Sequence, residues 1–311
     1  MPTLVSSVLT YPIGFGCRFG PWITKLSPAG PYVMYWSGNF CVKGGKPVDA
    51  GLVPGPYDPN TWNAGCNTFY GDRIWMTTHN GDGLDPAGWD ASNGPTLLLP
   101  AGGPGQESLI GDPSVVYWNG KWHMYYEGTN YCDGTNNLLF HATSDSWFGP
   151  WTKEGKAWGV LGYIETVGLS WVTTFVENGD LYLYYTNAMC RLTCAKASDT
   201  SGNFFDMMNE GRPVTPSHCA RGQVLAYQGG YMLITDINNG EGGKGVSMSL
   251  SDNKFSFFFS VQLFGLDILG PTAHGVGLPT AILDTDGLRV YFTICPTGTS
   301  VSSIGAAVVI L

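Results

Sequence analysis

The sequence predicts an all-β chain wound as a β-propeller, and three observations carry that expectation. Residues 111–128 read GDPSVVYWNGKWHMYYEG: a strand, a tight Asn-Gly turn and a second strand rich in Tyr. A second copy, SWVTTFVENGDLYLYYTN, stands at residues 170–187, and weaker copies return every ~40–60 residues, the spacing of propeller blades. The composition agrees, because 44 glycines, 20 prolines and 14% aromatics suit short strands joined by tight turns better than helices.

Taken in order, TLVSSVLT near the start reads as an apolar strand, and AAVVIL ends the chain on another. Pairing the two would close a ring and cover two hydrophobic edges. Second strands of hairpins are expected at YVMYWSG (32–38), RIWMTTHN (73–80), KWHMYYEG (121–128), DLYLYYTN (180–187), GYMLITD (230–236) and LRVYFTIC (288–295). Residues 20–100 hold two of these segments amid many Gly, Pro and Asn, which favours five blades with one enlarged, six being the alternative. Third strands ending in a Ser-Asp turn follow in LLFHATSDSWFGPW, RLTCAKASDTSGNFF and GVSMSLSDNKFSFF. A single propeller domain over residues 1–311 accommodates all of this, since a chain of 311 residues with 43% hydrophobic content can bury a large core.

Charge and cysteine content narrow the function. Only 13% of residues are charged and the formal net charge is -9, with no Lys/Arg run, so phosphate backbones and anionic lipid surfaces are not expected partners. The first fifteen residues lack the basic start and long apolar run of a secretory signal, and no segment has the length of a membrane span. Eight cysteines are too sparse for a disulfide scaffold; Cys190 and Cys194 are close enough in sequence to pair locally. No Cys/His spacing calls for zinc, and no cofactor is required.

Function must come from positions where the copies differ. In a propeller, the start of each blade's inner strand and the end of its second strand lie at one mouth of the central channel. Aligned on their turns, the copies place Gly20-Pro21, Asp112-Pro113, Trp171-Val172 and Arg221-Gly222 at the first position, and Ser37, Glu127, Thr186 and Asp236 at the second. One mouth therefore gathers Asp112, Glu127, Asp236 and Arg221 beside Trp171, polar groups interrupting an apolar pattern as a site grafted on a fold would. Asp112 before proline also suits a strand-entry turn, and Trp171 suits either a blade core or the C–H face of a sugar.

With VVYWNGKWHMYY, the run Gly111-Asp112-Pro113-Ser114 resembles the Asp-Pro strand of the five-bladed propeller glycoside hydrolases of family 43 and their relatives, the arabinofuranosidases, xylosidases and arabinanases. HATSDSWFGPW is similar to their third strand, and AHGVGLPTAILDTDGLRVYFT, from Ala273, to their closing blade with a channel-facing His. The resemblance implies a first-blade Asp as general base, a second-blade Asp that orients and tunes, and a third-blade Glu as general acid, because one carboxyl must be protonated while another activates water. By position Asp112 would be the tuning residue and Glu165 the acid, with Glu127 a further carboxyl. Trp171, Arg221, Asp236, His274 and Arg18 would line the substrate channel, with a structural cation such as calcium near His274 compatible with it. The first-blade Asp-Pro is replaced by Gly20-Pro21 in CRFGPWITK, which leaves the base unassigned unless Asp58-Pro59 supplies it. The expectation is a carbohydrate-active propeller that hydrolyses a poly- or oligosaccharide. The alternative is a non-catalytic propeller binding glycan or protein, for instance in an extracellular or virion assembly.

Overall fold

The computed structural model describes residues 5–9, 15–40, 42–43, 46–47, 73–85, 88–89, 96–99, 109–129, 138–159, 162–163, 171–187, 191–215, 221–238, 243–266, 273–296 and 303–311. Nearly all regular structure among them is β-strand, and the fold is a β-propeller. Most strands among the described residues group into five four-stranded antiparallel units, with the short Trp158–Gly159 pairing in parallel beside the third and Val42–Lys43 and Lys46–Pro47 forming a separate pair. The first holds Phe15–Lys25, Tyr32–Phe40, Arg73–His79 and Thr96–Leu99, from inside outward. The second holds Leu109–Trp118, Lys121–Thr129, Leu138–Ser144 and Thr152–Lys156. In the third are Thr173–Glu177, Asp180–Thr186, Leu192–Ala197 and Phe204–Met207, and in the fourth Gly222–Tyr227, Gly230–Asn238, Gly243–Ser251 and Val261–Gly265. The fifth takes Ala273–Asp284, Gly287–Pro296 and Ser303–Val309 from one end of the chain and Val5–Leu9 from the other. That last strand runs antiparallel to Ser303–Val309, with Val5 opposite Val308 and Leu9 opposite Ile304.

Local sequence explains the hairpins. Asn119-Gly120, Asn178-Gly179 and Gln228-Gly229 all have positive φ at both positions, the conformation whose twist matches two-residue β-hairpins. One expectation needs correction. Arg73–His79 is the third strand of the first unit and not the second strand of its own hairpin; it pairs with Tyr32–Phe40 so that Trp36 faces Trp75, with the rings stacked 6.0 Å apart. Second and third strands carry the same alternating aromatic pattern, so pattern alone did not separate them.

Each unit buries its faces against its neighbours. Trp22, Tyr35 and Ile74 of the first unit pack with Val115, Met124 and Phe140 of the second, and Phe175, Tyr184 and Cys194 of the third pack with Val224 and Leu233 of the fourth. A tyrosine repeats at one register position of the second strand and crosses the seam to the next unit. Tyr35 donates to the carbonyl of Trp147 (2.8 Å), Tyr125 to Gly202 (2.7 Å), Tyr184 to Lys254 (3.0 Å) and Tyr291 to Gly83 (2.9 Å). Three of these acceptors lie in the Ser-Asp turns noted in the sequence, which gives those turns a structural role. Burial raises all four phenols well above their ordinary range, so they remain donors. The fourth unit has Ile234 at this position; its seam with the fifth is bridged instead by parallel backbone pairing of Lys244 with Val276. Replacing Tyr35 by Phe keeps the ring and removes the donor. Urea unfolding should show a loss of about 1–2 kcal/mol with an unchanged m-value.

A second polar cluster lies at the seam between the second and third units. His141 Nδ1 donates to Asn203 Oδ1 (2.7 Å), which leaves its Nε2 to accept from His123 Nδ1 at 2.9 Å, and the two rings and Tyr125 stack nearly parallel. Burial pushes His141 down to about 3, against the pull of Asn203 and Asp199, and the charge of His123 pushes the same way. His123 is lowered too, first by burial and also by Lys121, with the Trp118 backbone and Glu154 opposing. The folded state thus prefers neutral rings, so their contribution is complete above the unfolded value of about 6.5 and is lost as pH falls toward 3. Stability should fall by about 1.4 kcal/mol per pH unit per proton taken up below pH ~6. A His141→Gln variant should show a shallower slope in urea midpoints measured across that range.

Candidate active site

The inner strands converge on a central channel, and three of them are interrupted at the same place. In the first unit the register skips from Phe19 opposite Ser37 to Trp22 opposite Tyr35; in the second, from Gly111 opposite Glu127 to Ser114 opposite Tyr125. In the fifth it skips from Gly277 opposite Thr293 to Thr280 opposite Tyr291. Each gap is a two-residue bulge of the form X-Pro, with X in the left-handed region: Gly20 (φ 56°), Asp112 (φ 49°) and Leu278 (φ 52°). Proline has no N–H to lose from the ladder, and a bulge turns its first residue out of the strand's alternation.

Asp112 is buried, and its backbone N–H donates to Ser37 Oγ at 2.5 Å. The first unit repeats this contact with the fifth, where Gly20 N–H donates to Thr293 Oγ1 (3.1 Å). The carboxylate of Asp112 lies over Gly20 so closely that a Cβ built on the glycine would collide with Oδ1. Gly20 thus stands where the resemblance implies a carboxyl, and the Asp112 carboxylate fills the space beside its backbone.

Arg221 is fully buried. Its backbone N–H donates to Asp236 Oδ1 (3.0 Å), and its Nη2 reaches the carbonyl of Pro113 (3.0 Å), tying the fourth unit to the Asp112 bulge of the second. Burial lowers the guanidinium to about 10, opposed by the charges of Asp112 and Asp236, so it stays cationic at neutral pH. Among the described residues its Nε and Nη1 find no hydrogen-bond partner, an expensive state for buried donors. The Trp22 ring lies 5.8 Å from the guanidinium carbon.

Beneath this layer, small polar side chains stitch the units together: Ser114 Oγ with Thr174 Oγ1 (2.9 Å), Thr173 Oγ1 to the Gly222 carbonyl (2.5 Å), and Thr280 Oγ1 to Gln223 Oε1 (3.0 Å). Trp22 Nε1 donates to the Val115 carbonyl (2.7 Å) and Ile23 N–H to Thr280 Oγ1 (3.3 Å). Toward the far ends of the same strands, away from the bulges, lies an open cavity of about 430 Å³ lined by all five inner strands, among them Ile23, Val116, Thr174, Gln223 and Ala281; Asp112, Arg221 and Asp236 do not line it.

The structure thus brings together Asp112, Arg221 and Asp236. Glu127 is half-buried opposite Gly111, and Trp171 is half-buried just before the third inner strand. Arg18 lies opposite Gly38, and His274 lies in Ala273–Asp284, but their side chains fall outside the described residues, as do Glu165 and Asp58-Pro59 altogether. Among the described residues no group of three His, Cys, Asp or Glu side chains could hold a metal ion. The suggested Cys190–Cys194 bridge is corrected: Cys194 is a buried free thiol raised to about 12 by burial, packed in the seam between the third and fourth units, and Cys190 falls outside the described residues. The sequence comparison passed over Leu278, although Gly-Leu-Pro parallels Gly-Asp-Pro and was the signal for it.

No family model and no curated protein matches the chain. Solved structures do. Zg3597, a family 117 glycoside hydrolase from the marine bacterium Zobellia galactanivorans, superposes with a TM-score of 0.65 at 16% identity, covering 100% of this chain and 91% of that one. The RS223 β-xylosidase gives 0.63 at 12% identity over 98% and 94%. The GH43_1 enzyme from Xanthomonas citri complexed with xylose gives 0.62 at 13% over 98% and 90%. At such identities the likeness establishes the fold, which is that of β-propeller glycoside hydrolases.

Restoring a first-unit carboxylate should fail. Gly20→Asp places a side chain where Asp112 already stands, so the obstacle is the collision and not the left-handed φ, which Asp tolerates. Thermal denaturation should show a large fall in Tm for this variant. Gly20→Ala should fall as well, since even its Cβ meets the carboxylate.

Proposed function

We propose that the chain is a glycoside hydrolase in which Asp112 activates water. The observation that carries this reading is the carboxylate of Asp112 lying over Gly20 beside the buried guanidinium of Arg221. Arg221 has two roles toward it. Its charge favours the ionised carboxylate that a base requires, and its bond to the Pro113 carbonyl fixes the bulge that aims the side chain. The neighbouring Asp236 is held by the backbone N–H of Arg221 and shares the same cation. Glu165 is the proposed acid, protonating the leaving glycosidic oxygen, with Glu127 as the other carboxyl near the mouth. Trp171 offers an indole face to the C–H side of a sugar ring. Carbohydrate as ligand is also in keeping with the xylose complex of a protein sharing this fold.

A second reading is favoured by one observation, the glycine at position 20. A propeller that has given up a carboxylate there could bind a glycan without cleaving it, and Asp112 would then serve as a hydrogen-bond acceptor for sugar hydroxyls.

One comparison separates the two. Wild type, Asp112→Asn and Glu165→Gln are assayed on aryl-glycosides and on arabinan, xylan and sulfated algal polymers, with binding measured by calorimetry. Hydrolysis predicts that Asp112→Asn loses about 10²–10⁴-fold in kcat/KM while still binding. Binding alone predicts no turnover by any of the three and a weakened Kd for Asp112→Asn. Equal turnover by wild type and Asp112→Asn would overturn the hydrolase reading.

A further inference from the structure

Leu278 holds, in the fifth unit, the place that Gly20 holds in the first and Asp112 in the second. Its φ of 52° is one that a bulky side chain rarely adopts. The first unit makes the same bulge with glycine and no steric strain, so the fold itself does not call for a leucine here. Nor does core packing explain it: the side chain is half-buried and joins none of the five apolar clusters found among the described residues. A strained residue at a channel mouth, outside the apolar clusters of the described residues, points to use of its side chain.

The surroundings indicate that use. Leu278 stands in the unit between those of Arg221 and Gly20, and Gly20 leaves that side of the mouth without a side chain of its own. Among the described residues the charged groups at the mouth are the carboxylates of Asp112, Asp236 and Glu127 and the guanidinium of Arg221, which interacts with the charges of Asp112 and Asp236. With a net charge of -9 on the chain, an anionic sugar would meet repulsion. An apolar side chain and a half-buried indole at Trp171 instead suit the C–H face of an uncharged ring.

We infer that Leu278 is a specificity-determining residue, forming an apolar wall that favours a neutral glycosyl unit over a sulfated or uronate one. The inference rests on the proposed carbohydrate site. Leu278→Gly relaxes the backbone and removes the wall, and Leu278→Asn tolerates the same φ while making the wall polar.

Both variants are compared with wild type and Asp112→Asn on neutral glycans and their sulfated or uronate counterparts. The expected result is a loss of about 10-fold or more in kcat/KM on the best neutral substrate for Leu278→Gly. Leu278→Asn should lower the neutral-to-anionic ratio, and Tm should stay within about 2 °C of wild type for both. If wild type binds without cleaving, the same ratios are read in Kd. Where wild type is active and Asp112→Asn is not, unchanged kinetics in both Leu278 variants overturn the wall and leave the hydrolase reading standing. A Tm drop of more than about 5 °C in both variants marks a structural leucine and also overturns it. Absence of any binding or cleavage by wild type removes both readings together.

Discussion

Everything in this molecule depends on five sheets agreeing on one ring, and the agreement is enforced by hydrogen bonds that cross the seams between them. At the channel, every seam carries at least one: Asp112 to Ser37, Ser114 to Thr174, Thr173 to Gly222, Gln223 to Ala281, and Gly20 to Thr293. Apolar packing between sheets is generous but poorly directional, whereas a buried donor without its acceptor is costly, so these bonds fix how far each unit is rotated about the channel. Farther out, the repeated tyrosines do the same between a second strand and the next unit's turn. Ile234 breaks that series, and the seam it leaves has direct backbone pairing through Lys244 and Val276 in addition to Gln223, which both donates to and accepts from Ala281. A repeat can lose one member where another contact replaces it.

The site is a by-product of the same repetition. An X-Pro bulge recurs in three units, and because it lifts X out of the strand's alternation, X differs between units while the pairing around it is kept. One unit places a carboxylate there, one places nothing, and one places a leucine. Arg221 arrives from a unit without the bulge and reaches the Pro113 carbonyl, which makes the position of Asp112 a joint property of the second and fourth units.

Much of the architecture was legible because tight turns are written in short words: Asn-Gly in the second and third units sets the hairpin and, with it, the alignment of every residue that follows. That alignment grouped Asp112, Arg221 and Asp236, and the structure brings these three together. Less was legible where several strands share one pattern. Arg73–His79 has the aromatic alternation of a second strand and differs only in its partners, which no local rule reports. Leu278 was overlooked because leucine carries no chemistry of its own, although the proline after it repeats the first two units. The contact of Asp112 with Gly20 could not be read at all, because it depends on how one unit leans over another.

Val5–Leu9 completes a sheet whose other three strands lie at the far end of the chain. Contacts of that sequence separation are the slowest to find, since nearly the whole chain must be ordered before the loop they close becomes affordable in entropy. That pairing is therefore expected to form late in folding. Without that pairing Ser303–Val309 would keep an open edge; with it, the edge is covered by a strand drawn from the opposite end of the sequence.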